Sequence, residues 1–239
     1  MFFYRVVILY ALFLVSTRSA AQDTTQLVPM RILEVGISAN AYKGDLSDTY
    51  TLWSSAFQLG LKFNKKKRFN SHFSLAIGNV RGQYFNYFFS EEATPNDNFN
   101  TNFVALHYDL QYHLIKTIRW HLYISQGFGL FRFSPRNERG ENLEDLLETR
   151  ASDETYGNVT IILPTSFGLT YFLKNGYGVG TQLSFYRPLT DYIDNISTWG
   201  NDTGNDRLMA FKFFVTIPLQ KKQQRTYVPL NEVVPERTR

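Results

Sequence analysis

The chain has no cysteine among its 239 residues. That excludes disulfide staples, thiolate metal sites, a cysteine nucleophile and a lipid anchor on an N-terminal cysteine. Histidine is scarce, with four in all, so imidazole chemistry has few residues to draw on. After residue 21 no apolar run approaches the roughly 20 residues that a helix needs to cross a bilayer. Charge of neither sign dominates, the net value being +4. No basic stripe interleaved with aromatics is present, so no nucleic-acid partner is expected. There is no glycine-rich phosphate loop, and neither a cofactor nor a small-molecule substrate is expected.

What the chain does have begins at its start. Arg5 precedes an apolar run, Val6–Val15, and Ser19-Ala20-Ala21 supplies small residues at the positions a signal peptidase reads. Residues 1–21 are therefore expected to be a signal peptide cleaved before Gln22. Aromatics are abundant, with 21 Phe, 15 Tyr and 3 Trp. Apolar and polar residues also alternate, most plainly where Met209, Phe211, Phe213, Val215 and Ile217 interleave with Leu208, Ala210, Lys212, Phe214 and Thr216. A period of two sets these on opposite faces of a strand.

The same pattern predicts seven earlier strands, over Arg31–Tyr42, Leu52–Asn64, Asn70–Gly82, Val104–Leu114, Trp120–Phe133, Val159–Leu173 and Gly178–Arg187. Pro164 weakens the early half of the sixth. Most reach the 9 to 11 or so residues that a tilted membrane strand requires. Connections alternate short and long. The short ones are 65–68, 115–119 and 174–177, the last with an Asn-Gly hairpin signal; the long ones are 43–51, 83–102, 134–158 and 188–206. Such alternation fits a transmembrane barrel with short periplasmic turns and long extracellular loops.

A soluble sandwich or lipocalin-like barrel would show the same alternation with its faces exchanged. Here the polar face is rich in Gly, Ala and Ser, and Lys and Glu are sparse within strands. Aromatics gather at strand ends (Tyr42, Trp53, Phe63, Phe69, Tyr112, Trp120 and Tyr177). These features favour an all-β, eight-stranded antiparallel transmembrane β-barrel over residues 22–219. Residues 220–239, with Pro229 and Pro235 and no alternation, read as a disordered periplasmic tail.

An eight-stranded barrel is only wide enough for side chains to fill it. By parity Glu34, Lys62, His107, Asp109 and Lys212 face the lumen, with Glu34 and Lys62 placed to pair directly and Asp109 and Lys212 to join a mid-strand network. A filled lumen is expected rather than a proton or small-solute pathway. His113 also faces inward, while His72 and His121 are placed near periplasmic strand ends. No histidine stands beside a serine at an extracellular rim, and His72-Phe73-Ser74 is a weak match to a nucleophile and its base. The expectation is thus no enzyme and no catalytic or metal residues, the alternative being a lipid-modifying outer-membrane enzyme. Asp191, Asp194, Asp202 and Asp206 read as solvated turn residues rather than a calcium site. Leu143, Leu146 and Leu147 fall at helical spacing and predict a short amphipathic helix over the mouth. Lys65, Lys66, Lys67 and Arg68 form a basic periplasmic face suited to acidic proteins or anionic headgroups.

Three segments carry a resemblance. Asn40-Ala41-Tyr42-Lys43-Gly44-Asp45-Leu46 resembles the N-Y-x-G-D-L segment of PorG-like small outer-membrane barrels. Phe57–Asn64 with its basic turn is similar to their second hairpin. Thr190–Ser197 followed by Gly204-Asn205-Asp206 resembles their last extracellular loop. The resemblance implies an OmpA-like barrel in the bacterial outer membrane, accompanying type IX secretion machinery, with lipid and periplasmic or outer-membrane proteins as its partners.

Overall fold

Eight strands follow one another in chain order and close into an antiparallel barrel. They are β1 (Gln26–Lys43), β2 (Trp53–Phe63), β3 (Phe69–Gln83), β4 (Asn98–Lys116), β5 (Trp120–Arg136), β6 (Val159–Phe172), β7 (Gly178–Pro188) and β8 (Arg207–Gln224). The computed structural model describes residues 26–65, 68–83, 95–152, 154–200 and 204–224, excluding the side chains of 26–29 and 220–224. The barrel body runs from Leu27 to Lys222. The predicted signal peptide lies outside the described residues, as does the expected tail beyond Gln224; β8 itself runs five residues into that segment.

The pleat sorts the side chains into two environments. Outward positions are apolar and open, with Ile37 65 % and Phe128 63 % exposed and Phe73, Leu106, Ile124, Phe167, Phe213 and Val215 beside them around the wall. Inward positions are buried and largely polar. A contiguous apolar belt around a polar interior is the reverse of a water-soluble barrel, and its solvent is lipid.

Local chemistry sets the register. β4 carries a bulge between His113 and Ile115, which turns both Leu114 and Ile115 outward and keeps His113 opposite Tyr123. Pro164 does not end β6; the β5–β6 pairing lapses beside it and resumes at Gly129–Ile162 in the same register. The β6–β7 turn uses Gly176 at φ 87°, with Tyr177 N–H donating to Asn175 Oδ1 at 3.2 Å.

Three expectations need correction. Tyr42 is not a girdle residue but is 1 % exposed inside the barrel, because it ends β1 on the lumen-facing parity. Phe99, Phe103, Phe131 and Phe133 also point inward, so the long-loop end of the lumen is not lined by small residues alone but sets aromatic rings against Ala56, Ala76, Ala105 and Ala210. The leucines of the third long loop (137–158) form no amphipathic helix. Leu143–Asp145 and Leu147–Thr149 are separate 3-10 turns, Leu143 entering the core while Leu147 faces out. One turn in each case is too short to sustain a helical stripe.

Candidate functional site

Two clusters of buried polar groups occupy the barrel, one at mid-lumen and one in the mouth at the long-loop end. In the lumen, Lys212 on β8 places Nζ 3.3 Å from Glu34 Oε2 on β1. His72 on β3 lies between two carboxylates, with Nε2 3.4 Å from Glu34 Oε2 and Nδ1 3.1 Å from Asp109 Oδ2. His107, on β4 with Asp109, sets Nδ1 3.1 Å from the same carboxylate. A ring facing carboxylates through both nitrogens serves both only when both carry protons. The whole cluster is buried, and charges in such a place persist only when paired.

This arrangement differs from the sequence expectation in its pairing. Glu34 joins Lys212, not Lys62, since Lys62 lies opposite Ile32 and His72 while Glu34 lies opposite Gly60. The Lys62 ammonium instead stands over the Tyr123 ring, 4.5 Å from its centroid. Asp109 is held by two histidines rather than by Lys212. His72 and His121 stand near the short-turn ends of β3 and β5, as expected, and both are lumenal and buried. The parity of Ser74 and Tyr123 would have placed them there. A neutral network completes the middle of the lumen. Tyr123 donates to Gln182 at 2.8 Å, Gln182 to Ser184 at 2.9 Å, and Gln58 to Ser38 at 2.9 Å.

Above this layer the mouth is closed by the fourth long loop (189–206), which turns inward. Ile193 and Ile196 bury against Tyr42, Leu46, Val80, Phe99 and Leu143. The cavity left between this packing and the polar layer is about 10 Å³, room for at most one water. Asn195, in the left-handed region at φ 76°, ties the loops together. Its amide donates to Asn96 at 3.1 Å and Thr149 at 2.8 Å, and its carbonyl accepts from Arg150 at 3.1 Å and Tyr156 at 2.8 Å. Thr101 donates to the Ile193 carbonyl at 2.5 Å.

The loop is latched by acidic groups. The Tyr42 hydroxyl lies 2.6 Å from Asp194 Oδ2 and 2.8 Å from Asp206 Oδ1. Backbone N–H groups of Leu46 and Ile196 serve Asp194, and that of Ile193 serves Asp206. A Cβ at Gly44 would overlap both the Tyr42 hydroxyl and the Asp206 carboxylate, so only glycine fits there. Asp194 and Asp206 are therefore fully buried, not the solvated turn residues the sequence suggested; Asp202 lies outside the described residues. Burial, with Asp45 and Asp191 nearby, pushes Asp194 up to about 8 against the Tyr42 hydrogen bond. Burial and the neighbouring Asp194 drive Asp206 well above the ordinary carboxylate range. One phenolic proton cannot serve two charged carboxylates, so the latch closes when a carboxyl holds a proton of its own.

At the short-turn end Lys65 and Arg68 are exposed, and Lys116 Nζ donates to the Lys65 carbonyl. Lys66 and Lys67 lie outside the described residues. Among the described residues no three histidine or acidic side chains converge to hold a metal ion.

No family model and no curated protein matches this chain. Among solved structures, Neisserial surface protein A is similar at 10 % identity and TM-score 0.48, over 79 % of this chain and 96 % of that one. Ail, the attachment invasion locus protein of Yersinia pestis, is similar at 8 % identity and TM-score 0.46, over 80 % and 99 %. The outer membrane enzyme PagL is similar at 15 % identity and TM-score 0.36, over 78 % and 99 %.

Proposed function

We propose that this protein is a non-enzymatic structural barrel of the bacterial outer membrane, which holds partner proteins by its loops or its short-turn rim. The observation that carries this reading is the filled lumen. An ionic layer and an aromatic layer stack within it, and a folded loop lies over the mouth. A lumen so occupied offers a solute no passage. It also offers a lipid substrate no cleft in which a nucleophile and its base meet. Small closed barrels with an apolar belt and an export signal belong to the outer membrane.

The segments that resemble PorG-like barrels supply the finer reading, a scaffold beside type IX secretion machinery. Two of them meet in the fold, since Tyr42 and Leu46 of the first bind Asp194 and Asp206 of the last. Together they pack into the closure of the mouth, and Lys65 and Arg68 lie at the opposite rim. Deleting the gene is expected to disturb surface assembly or type IX export and to leave lipid A unchanged by mass spectrometry. Normal export with no co-purifying partner would remove the secretion role. An altered lipid A would overturn the structural reading in favour of a lipid-modifying enzyme. In planar bilayers the purified barrel is expected to give no conductance steps.

A further inference from the structure

The charges of the strands are sorted by face. The only carboxylates that the eight strands carry, Glu34 and Asp109, are buried in the lumen. The outward wall therefore presents no acid to the membrane. At its long-loop end it presents arginines instead, with Arg81, Arg132, Arg187 and Arg207 all exposed.

Two of these meet a third cation. β7 and β8 pair Phe185 with Met209 and Tyr186 with Leu208, and the same register carried one residue further sets Arg187 opposite Arg207. On the other side of β8, a Cβ at Gly36 would meet Phe214 and one at Gly44 would meet Asp206. The two contacts are equally spaced along both segments, which brings Lys43 beside Arg207. Lys43 is half-buried, and Tyr50 of the first long loop lies within electrostatic reach of both guanidinium groups. Asp206 turns inward to Tyr42, and among the described residues none of the three cations is in an ion pair.

Like charges set directly across strands repel one another. An anion bridging them reverses the sign of the contact, and arginine forks match phosphate oxygens in pairs. Three cations exceed the single charge of a phosphodiester and suit a phosphomonoester, which carries nearly two. Next to the arginines on the same face lie Phe185, 44 % exposed, and Met209, with Phe211 and Phe213 beyond. A phosphate held by the arginines thus adjoins an apolar wall, which suits an amphiphile better than a free ion.

We propose that Arg187, Arg207 and Lys43 dock a phosphorylated glycolipid of the outer leaflet, its phosphomonoester across the two guanidinium groups and its acyl chains along Phe185, Met209 and Phe211. The inference rests on the outer-membrane placement proposed above, in which the long-loop rim meets the leaflet that holds lipid A. Basic clusters at a leaflet surface recognise head groups in this way.

The test is native mass spectrometry of the full barrel in detergent. Bisphosphorylated lipid A, the same lipid dephosphorylated, and phosphatidylglycerol are supplied at equal concentration. Retention of bisphosphorylated lipid A in preference to the other two is expected. Arg187→Gln combined with Arg207→Gln should weaken that retention by about tenfold, as the loss of a charge-assisted contact implies. Lys43→Gln should weaken it less, and Lys174→Gln at the opposite rim should leave it unchanged. Heat-modifiable gel migration checks that each variant is folded, and the three-lipid comparison on the unaltered protein decides the matter even where one is not. Equal retention of the dephosphorylated lipid or of phosphatidylglycerol overturns the proposal. Full displacement of lipid A by inorganic phosphate does so as well, since a free ion then suffices. Failure of the barrel to insert into lipid vesicles is a separate result, and it removes the membrane placement together with this site.

Discussion

The lumen and the mouth of this barrel both bury carboxylates, yet they neutralise them by different means. In the lumen Glu34 and Asp109 lie against Lys212 and His72 of other strands, with His107 beside Asp109 on β4. In the mouth, among the described residues, no ion pair reaches Asp194 or Asp206; a phenol, three backbone N–H groups and a retained proton do the work. The lumen joins strands that are already fixed by the ladder, whereas the mouth must fix a loop that has no ladder. Backbone N–H groups specify the path of a loop in a way that a single ion pair does not. The consequence is that closure of the mouth responds to pH.

The largest expected effect lies in the lumen. Lys212→Met leaves Glu34 with a deficient set of partners and should cost about 3–5 kcal/mol. The check is the urea midpoint of the barrel in lipid vesicles, followed by heat-modifiable gel migration. Adding Glu34→Gln to that variant should restore most of the loss, because the uncompensated charge goes with it.

Tyr42→Phe comes next, at about 1–3 kcal/mol for carboxyl oxygens deprived of their donor. Its effect should be confined to the fourth loop. Amide hydrogen exchange at Ile193 and Ile196 should quicken while the strands around Asp109 keep their protection. Equal loosening of both regions would break the comparison.

The pH response has a defined sign. Asp194 holds its proton up to about 8 in the closed loop, against an ordinary value of 3.8. A raised acid favours the closed state at low pH. That advantage shrinks as the pH climbs above 3.8 and is gone once it passes about 8. Exchange at Ile196, corrected for intrinsic base catalysis, should therefore rise over that window, and Asp206→Asn should flatten the rise. At the bottom of the scale stands Leu147→Asp. This side chain is 68 % exposed, and its replacement should shift the urea midpoint by no more than about 0.5 kcal/mol.

The strands were legible because a period of two is written directly into residues such as Met209 to Ile217, and lipid and lumen impose it along the whole wall. The inward direction of Glu34, Lys62, His107, Asp109 and Lys212 followed from the same parity. So, in principle, did that of His72 and His121, which share the parity of Ser74 and Tyr123. Partners were another matter. Which residues meet across the lumen depends on strand stagger and on the bulge at His113–Ile115, neither of which is encoded locally. Glu34 meets Lys212 across 178 positions of sequence.

The mouth was least legible. Asp194 and Asp206 carry ordinary turn chemistry in the sequence, and their burial arises from Tyr42, Leu46 and Gly44 at the far end of the chain. By itself, then, the sequence determined the class of fold, the faces of the strands and the identity of the buried charges, since alternation is a local property enforced by two solvents. Only the tertiary structure decided which charges pair and how the mouth closes, because those depend on barrel closure bringing distant residues within hydrogen-bond reach.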